Sequence, residues 1–184
     1  MKKIPQLPNL LLMIFVLCIL VYFMTSGRND QLREISGTVV AIADGDTFRI
    51  IINHRRDTVR LLGIDCPEKD QKYGPAATEF ARGFLMPDHK PGQEVRLEFD
   101  IERRDKYGRL LAFVYNSKGE MLNRELLRSG LSRTLFIDPN SLYRQEFREI
   151  AAKAKKSGLN IWNPADPLPE TPSEYRKLHR EDTH

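Results

Sequence analysis

Cysteine is nearly absent from this sequence: 184 residues hold two, Cys18 and Cys66. Two cysteines cannot build a framework of disulfides, and Cys18 sits in an apolar run where pairing with Cys66 is not expected. Stability must therefore come from a packed core. Histidine is scarce too. His54, His89, His179 and His184 have no ligand-like spacing, which argues against a zinc centre. No internal repeat or low-complexity tract is present. With 41% hydrophobic and 29% charged residues, eleven glycines and eleven prolines, the composition is globular rather than fibrous or disordered. Charge of one sign is not in large excess. Twenty-nine basic against 25 acidic residues leave +4, which permits a polyanionic partner without requiring one.

Long hydrophobic runs are confined to one place. Lys2 and Lys3 precede an apolar stretch from Leu10 to Met24, and no charge falls between Lys3 and Arg28. This is an export signature. Its 15 residues would span about 22 Å as helix, against a hydrocarbon core of about 30 Å. Counting the uncharged flanks 4–27 makes spanning feasible. The poor small-residue cleavage site at Thr25 and Gly27 favours a retained membrane anchor over a cleaved signal. Either outcome places the rest of the chain outside the cytoplasm.

The remainder divides into one domain, residues 34–163, and a tail, residues 164–184. Five stretches rich in Val, Ile, Leu, Phe and Thr predict strands: Glu34–Ala43, Thr47–Ile52, Thr58–Ile64, Glu94–Ile101 and Leu110–Asn116. Asn53 to Arg56 suits a hairpin connection. Helical spacing predicts three helices, around Pro75–Leu85, Leu122–Leu127 and Phe147–Ala154. The class is α+β, mainly β: a five-stranded OB-type barrel with three helices, preceded by the N-terminal hydrophobic helix. The tail carries prolines and mixed charge and reads as extended and mobile.

Three polar clusters interrupt this pattern: Asp44-Gly45-Asp46-Thr47, Arg60 to Glu68, and Asp105-Lys106-Tyr107-Gly108-Arg109. The first, alone, is also an ordinary tight turn. In the second, Arg60 would share a strand face with Leu62 and Ile64, so an arginine inside a barrel calls for an anion. Together they supply Asp46, Asp65 and Glu68 as hard oxygen donors and Arg60 and Arg109 as bidentate anion binders. Phosphodiester hydrolysis asks for that combination, since carboxylates take Ca²⁺ or Mg²⁺ while guanidinium groups hold phosphate oxygens. A structural calcium site would explain the acids but not the arginines. A salt-bridge network would explain all five without function.

The same clusters, in this order, resemble the staphylococcal nuclease (thermonuclease) family. The likeness extends through Lys72-Tyr73-Gly74-Pro75, Leu127-Arg128-Ser129-Gly130-Leu131 and Leu159-Asn160-Ile161-Trp162, covering about residues 34–162. The resemblance implies an OB-type barrel and calcium-dependent endonucleolytic cleavage of DNA and RNA to 3′-phosphate products by in-line attack of water. It assigns Asp46 and Asp65 to the metal, with Cys66 contributing a main-chain carbonyl where the family commonly has Thr. It makes Glu68 the general base and Arg60 and Arg109 the catalytic arginines, with Lys106 and Tyr107 on a substrate phosphate. Two departures stand out: a shorter stretch from Glu68 to Tyr73, and Leu135 and Ile137 where the family has nucleotide-flanking tyrosines. Other readings are a catalytically silent nucleic acid-binding OB module and an anchored interaction protein docking through Asp166–His184. A monomer is the default expectation.

Overall fold

The computed structural model describes residues 12–19, 34–87 and 90–179. Two compact units emerge, Met1–Ile35 and Ser36–His184. In the first, residues 12–19 form a helix, α1. The rest of the expected anchor, from residue 4 to 27, lies outside the described residues. Among those described, no helix is long and apolar enough to cross a membrane.

The second unit is built on a closed five-stranded barrel, ordered β1 (Glu34–Ile42), β2 (Thr47–Ile52), β3 (Arg55–Leu61), β6 (Leu110–Tyr115) and β5 (Glu94–Glu98). β1 with β2, β2 with β3 and β5 with β6 pair antiparallel, whereas β3 and β6 run parallel. Closure between β1 and the approach to β5 uses Val39, which donates to the Gln93 carbonyl and accepts from Gly92 N–H, each at 2.9 Å. Alternation fills the interior with Val39, Phe48, Ile50, Val59, Leu61, Val95 and Leu97, all buried. A separate two-stranded sheet pairs β4 (Ile64–Asp65) with β7 (Arg133–Thr134).

Three helices match the expected periodicity: α2 (Gly74–Leu85), α3 (Leu122–Arg128) and α4 (Arg144–Lys156). Pro75 occupies the first turn of α2, where its missing N–H costs nothing, and Ala77, Ala81 and Leu85 bury one stripe. Phe147 of α4 is fully buried and packs edge-on against Phe113 of β6, ring centroids 5.8 Å apart. Asn123 of α3 has no exposed surface. Its amide accepts from Val114 N–H at 3.0 Å and donates to the Leu62 carbonyl at 2.8 Å, tying the helix to two strand ends.

Besides one-residue shifts at the ends of β1 and β6, four features differ from those the sequence predicts. The β2–β3 turn is Asn53-His54 alone, both at positive φ, so β3 starts at Arg55. At its other end β3 stops at Leu61. Gly63, at φ 76°, turns the chain there and makes Ile64–Asp65 a separate strand. The strand predicted to reach Ile101 ends at Glu98, and Ile101 is exposed. Residues 164–179 do not run out as an extended tail: Pro172–Leu178 form a fourth domain helix, α5. Thr171 and Glu174 close a capping box at its start, with Pro172 in the first turn. Prolines signalled a coil, but here one of them begins a helix.

Because Asn123 satisfies buried main-chain groups on two strands, Asn123→Ala should lower unfolding free energy by about 2–3 kcal/mol. Urea denaturation followed by Trp162 fluorescence measures this, and a loss near zero would remove Asn123 as a tie.

Candidate active site

Asp46 and Asp65 come from separate parts of the chain and meet at one side chain. Asp46 lies in the turn from β1 to β2, where Asp44 Oδ1 accepts the Asp46 N–H at 3.0 Å. The motif is thus both the turn expected and a donor of a carboxylate. Asp65 ends β4. Arg60 lies between them on β3: Nη1 is 2.8 Å from Asp46 Oδ2 and Nη2 is 2.8 Å from Asp65 Oδ1. Nη1 also donates to the Leu61 and Ile64 carbonyls, at 3.3 and 3.2 Å.

The register corrects the expected setting of Arg60. Val59 and Leu61 take the barrel-interior positions, so Arg60 points to the opposite face. Leu62 and Ile64 do not share its strand. The anion that this arginine called for is supplied by the two aspartates.

Both aspartates are nearly closed off, Asp46 at 6% and Asp65 at 4% exposure. Burial pushes the Asp46 carboxyl up to about 6, with Asp44 adding to it, although Arg60 and the Cys66 N–H pull the other way. Burial raises Asp65 also, against its arginine partners. Burial makes the charged form of both carboxylates costly even with arginine partners. Two carboxylates are hard oxygen donors suited to a divalent cation such as calcium or magnesium. Among the described residues no three His, Cys, Asp or Glu side chains form a ready cage, so such an ion would draw further ligands from main chain and water. Cys66 follows directly, its N–H donating to Asp46 Oδ2 at 2.7 Å. Its thiol is buried, and burial pushes the pKa well up, so it is no nucleophile.

Glu68 is held by its loop. Its N–H donates to Gln71 Oε1 at 3.2 Å, and its carbonyl accepts from Gln71 N–H at 2.9 Å. Gly74 packs against this turn. A Cβ there would fall 1.8 Å from the Glu68 carbonyl oxygen, which explains glycine between Tyr73 and Pro75.

Arg109, Lys106 and Tyr107 form a second group. Arg109 Nε lies 2.7 Å from Asp105 Oδ2, and its Cζ is 5.5 Å from the Tyr107 ring centroid. Lys106 Nζ lies 5.1 Å from the same ring, and Tyr107 is 61% exposed. In the parallel β3–β6 pair Arg60 is opposite Leu111. Arg109 closes the turn that leads directly into β6, whose first residue, Leu110, is opposite Val59. The structure thus brings Asp46, Arg60, Asp65 and Glu68 together and keeps Arg109, Lys106 and Tyr107 on a neighbouring exposed turn.

A sequence profile described as "Staphylococcal nuclease homologue" matches residues 58–164. The chain belongs to the staphylococcal nuclease family. Thermonuclease of Staphylococcus intermedius is 37% identical over 172 residues, 88% of this chain and 99% of that protein. Thermonuclease of Staphylococcus hyicus is 34% identical, covering 75% of this chain and 79% of that protein. Endonuclease YncB of Bacillus subtilis (strain 168) is 36% identical, covering 76% and 67%.

Sequence reasoning missed two residues in this nuclease-family site. Gln71, nearly fully buried, links the Glu68 loop to the tail by donating Nε2 to the Glu170 carbonyl at 2.9 Å. Arg176 of α5 donates to Asp65 and to Glu68 Oε1, the latter at 2.5 Å. Burial alone would lower its pKa, but hydrogen bonds to these two carboxylates raise it. No local motif flags either residue; 108 positions separate Arg176 from Glu68. Beside Asp65 a cleft of about 350 Å³ is lined by Arg133, Thr134, Lys155, Trp162 and, from the tail, Thr171. The Arg133 guanidinium lies 4.4 Å over the Trp162 ring, so this tryptophan packs rather than standing free.

Gly74→Ala should lower stability by about 1–3 kcal/mol, because the added methyl must displace the Glu68 backbone. A urea midpoint unchanged from the native protein would show that the loop relaxes freely.

Proposed function

We propose that the chain is a calcium-dependent endonuclease that hydrolyses phosphodiester bonds of DNA and RNA to 3′-phosphate products. The observation that carries this reading is the convergence of Asp46 and Asp65 on Arg60, with Glu68 joined to Asp65 through Arg176. Hard oxygen donors and planar cations then border one face, as a phosphate diester and its counter-cation require.

In this reading Asp46, Asp65 and the Cys66 main-chain carbonyl hold Ca²⁺. When bound, the ion supplies compact positive charge that polarises the scissile phosphate. Glu68 orients a water in line with the leaving 5′ oxygen and accepts the water's proton as its oxygen bonds to phosphorus and the P–O5′ bond breaks, the released 5′ oxygen taking a proton from solvent. Arg60 and Arg109 neutralise charge growing on the phosphoryl oxygens. Lys106 and Tyr107, on their exposed turn, hold a neighbouring phosphate, while Asp105 steadies Arg109 through Nε. Leu135 and Ile137 offer no stacking rings for a base, which favours backbone over base contacts. Residues 4–27 would anchor or export the chain, so that a monomeric domain works outside the cytoplasm.

Cleavage of single-stranded DNA by the purified protein, with calcium or with chelator, tests the reading. Glu68→Gln should reduce the rate by roughly 10²–10⁴-fold and Arg109→Ala by roughly 10²–10³-fold. Binding of DNA by folded protein without cleavage would point to the silent OB module instead. In the same samples calcium should raise the melting temperature and excess chelator should reverse it, because a ligand of the folded state alone stabilises that state. A melting temperature indifferent to calcium would count against Asp46 and Asp65 as metal ligands.

A further inference from the structure

The C-terminal segment delivers a cation into the acid cluster. Arg176 Nη1 donates to Asp65 Oδ1 at 3.1 Å and to Glu68 Oε1 at 2.5 Å; Nη2 reaches Asp65 Oδ1 at 3.2 Å and Oδ2 at 3.1 Å. Asp65 Oδ1 already accepts from Arg60 Nη2. Both oxygens of Asp65 are thus engaged by guanidinium groups, and so is one of Glu68.

Charge supports a role beyond fastening the tail. Asp46, Asp65 and Glu68 carry three negative charges against one positive charge on Arg60, and Arg176 adds a second positive charge. A divalent cation would supply the same compensation from the same oxygens. With Arg60 on Oδ1 and Arg176 on both oxygens, guanidinium N–H groups already take up the roughly four lone-pair sites of the Asp65 carboxylate, so a further cation must displace one of them and is repelled by both.

The segment has other fastenings. Lys72 pairs with Asp166, the Tyr73 hydroxyl donates to the Asp166 carbonyl at 2.5 Å, and Gln71 holds Glu170. Leu168 is buried, and its N–H donates to the Ile161 carbonyl at 3.1 Å. The base of α5 can therefore stay seated while the long Arg176 side chain, 32% exposed, swings away.

We propose that Arg176, which bridges Asp65 and Glu68, is the resident cation of the acid cluster and competes directly with a divalent cation for Asp65. The inference rests on the metal-dependent reading above. Arg176 thereby sets the site's affinity for the ion: at low calcium it fills the pocket and offsets part of the negative charge, and it gives way as calcium rises.

Isothermal titration of the full chain with CaCl₂ tests this without reference to cleavage. Arg176→Gln should bind calcium roughly tenfold more tightly than the native chain, since removing a competing occupant raises the competent fraction. Truncation after Glu170 should do the same, and Arg176→Lys, which keeps the charge but loses the fork, should fall between. In each background Asp65→Asn should abolish the signal, locating it at this site. Equal or weaker affinity in Arg176→Gln, with Asp65-dependent binding intact, overturns the competition and leaves the metal reading standing. Calcium binding by neither protein overturns both.

Discussion

One guanidinium group organises this protein's chemistry. Arg60 is placed by a strand whose neighbours Val59 and Leu61 are locked into the barrel. Its head joins the β1–β2 turn, the end of β3 and strand β4 through two carboxylates and two carbonyls. Breaking such a buried pair from one side strands the remaining charges, at a cost of about 3–5 kcal/mol. The two aspartates therefore stay where they are because Arg60 is there. Arg60 in turn stays because the apolar alternation of β3 admits no slip in register.

That dependence divides the site into halves of different character. The acid half is buried and belongs to the barrel and β4, and that burial holds the Asp46 carboxyl well above the normal carboxylate range despite Arg60. The basic half is an exposed five-residue turn, Asp105 to Arg109, in which Asp105 accepts from the Tyr107 and Arg109 N–H groups and from Arg109 Nε. The parallel pairing of β3 with β6 sets the two halves side by side.

The chain beyond Trp162 changes how the acid half is completed. Asp166 and Glu170 fasten the segment to Lys72, Tyr73 and Gln71, on the loop that also holds Glu68. The stretch between Glu68 and Tyr73 therefore has a neighbour in the C-terminal segment, and Arg176 reaches past it to Asp65.

Much of this was legible in the residues themselves. Alternating Val, Ile, Leu and Phe determine where the barrel strands lie, and the 3.6-residue stripes determine α2, α3 and α4, because both periods are local consequences of backbone geometry. Asp46, Asp65, Glu68, Arg60 and Arg109 could be named because hard donors and planar cations are conspicuous in turns that otherwise need neither. Strand ends were less legible, since Gly63 decides by its positive φ that Arg60 and Ile64 are not on one strand. Only the tertiary structure decided which face Arg60 occupies and that its partners are Asp46 and Asp65. It alone brought Arg176 to Asp65 across 111 positions. Contacts of that range arise from how the core closes, and no periodicity within a window of sequence encodes them.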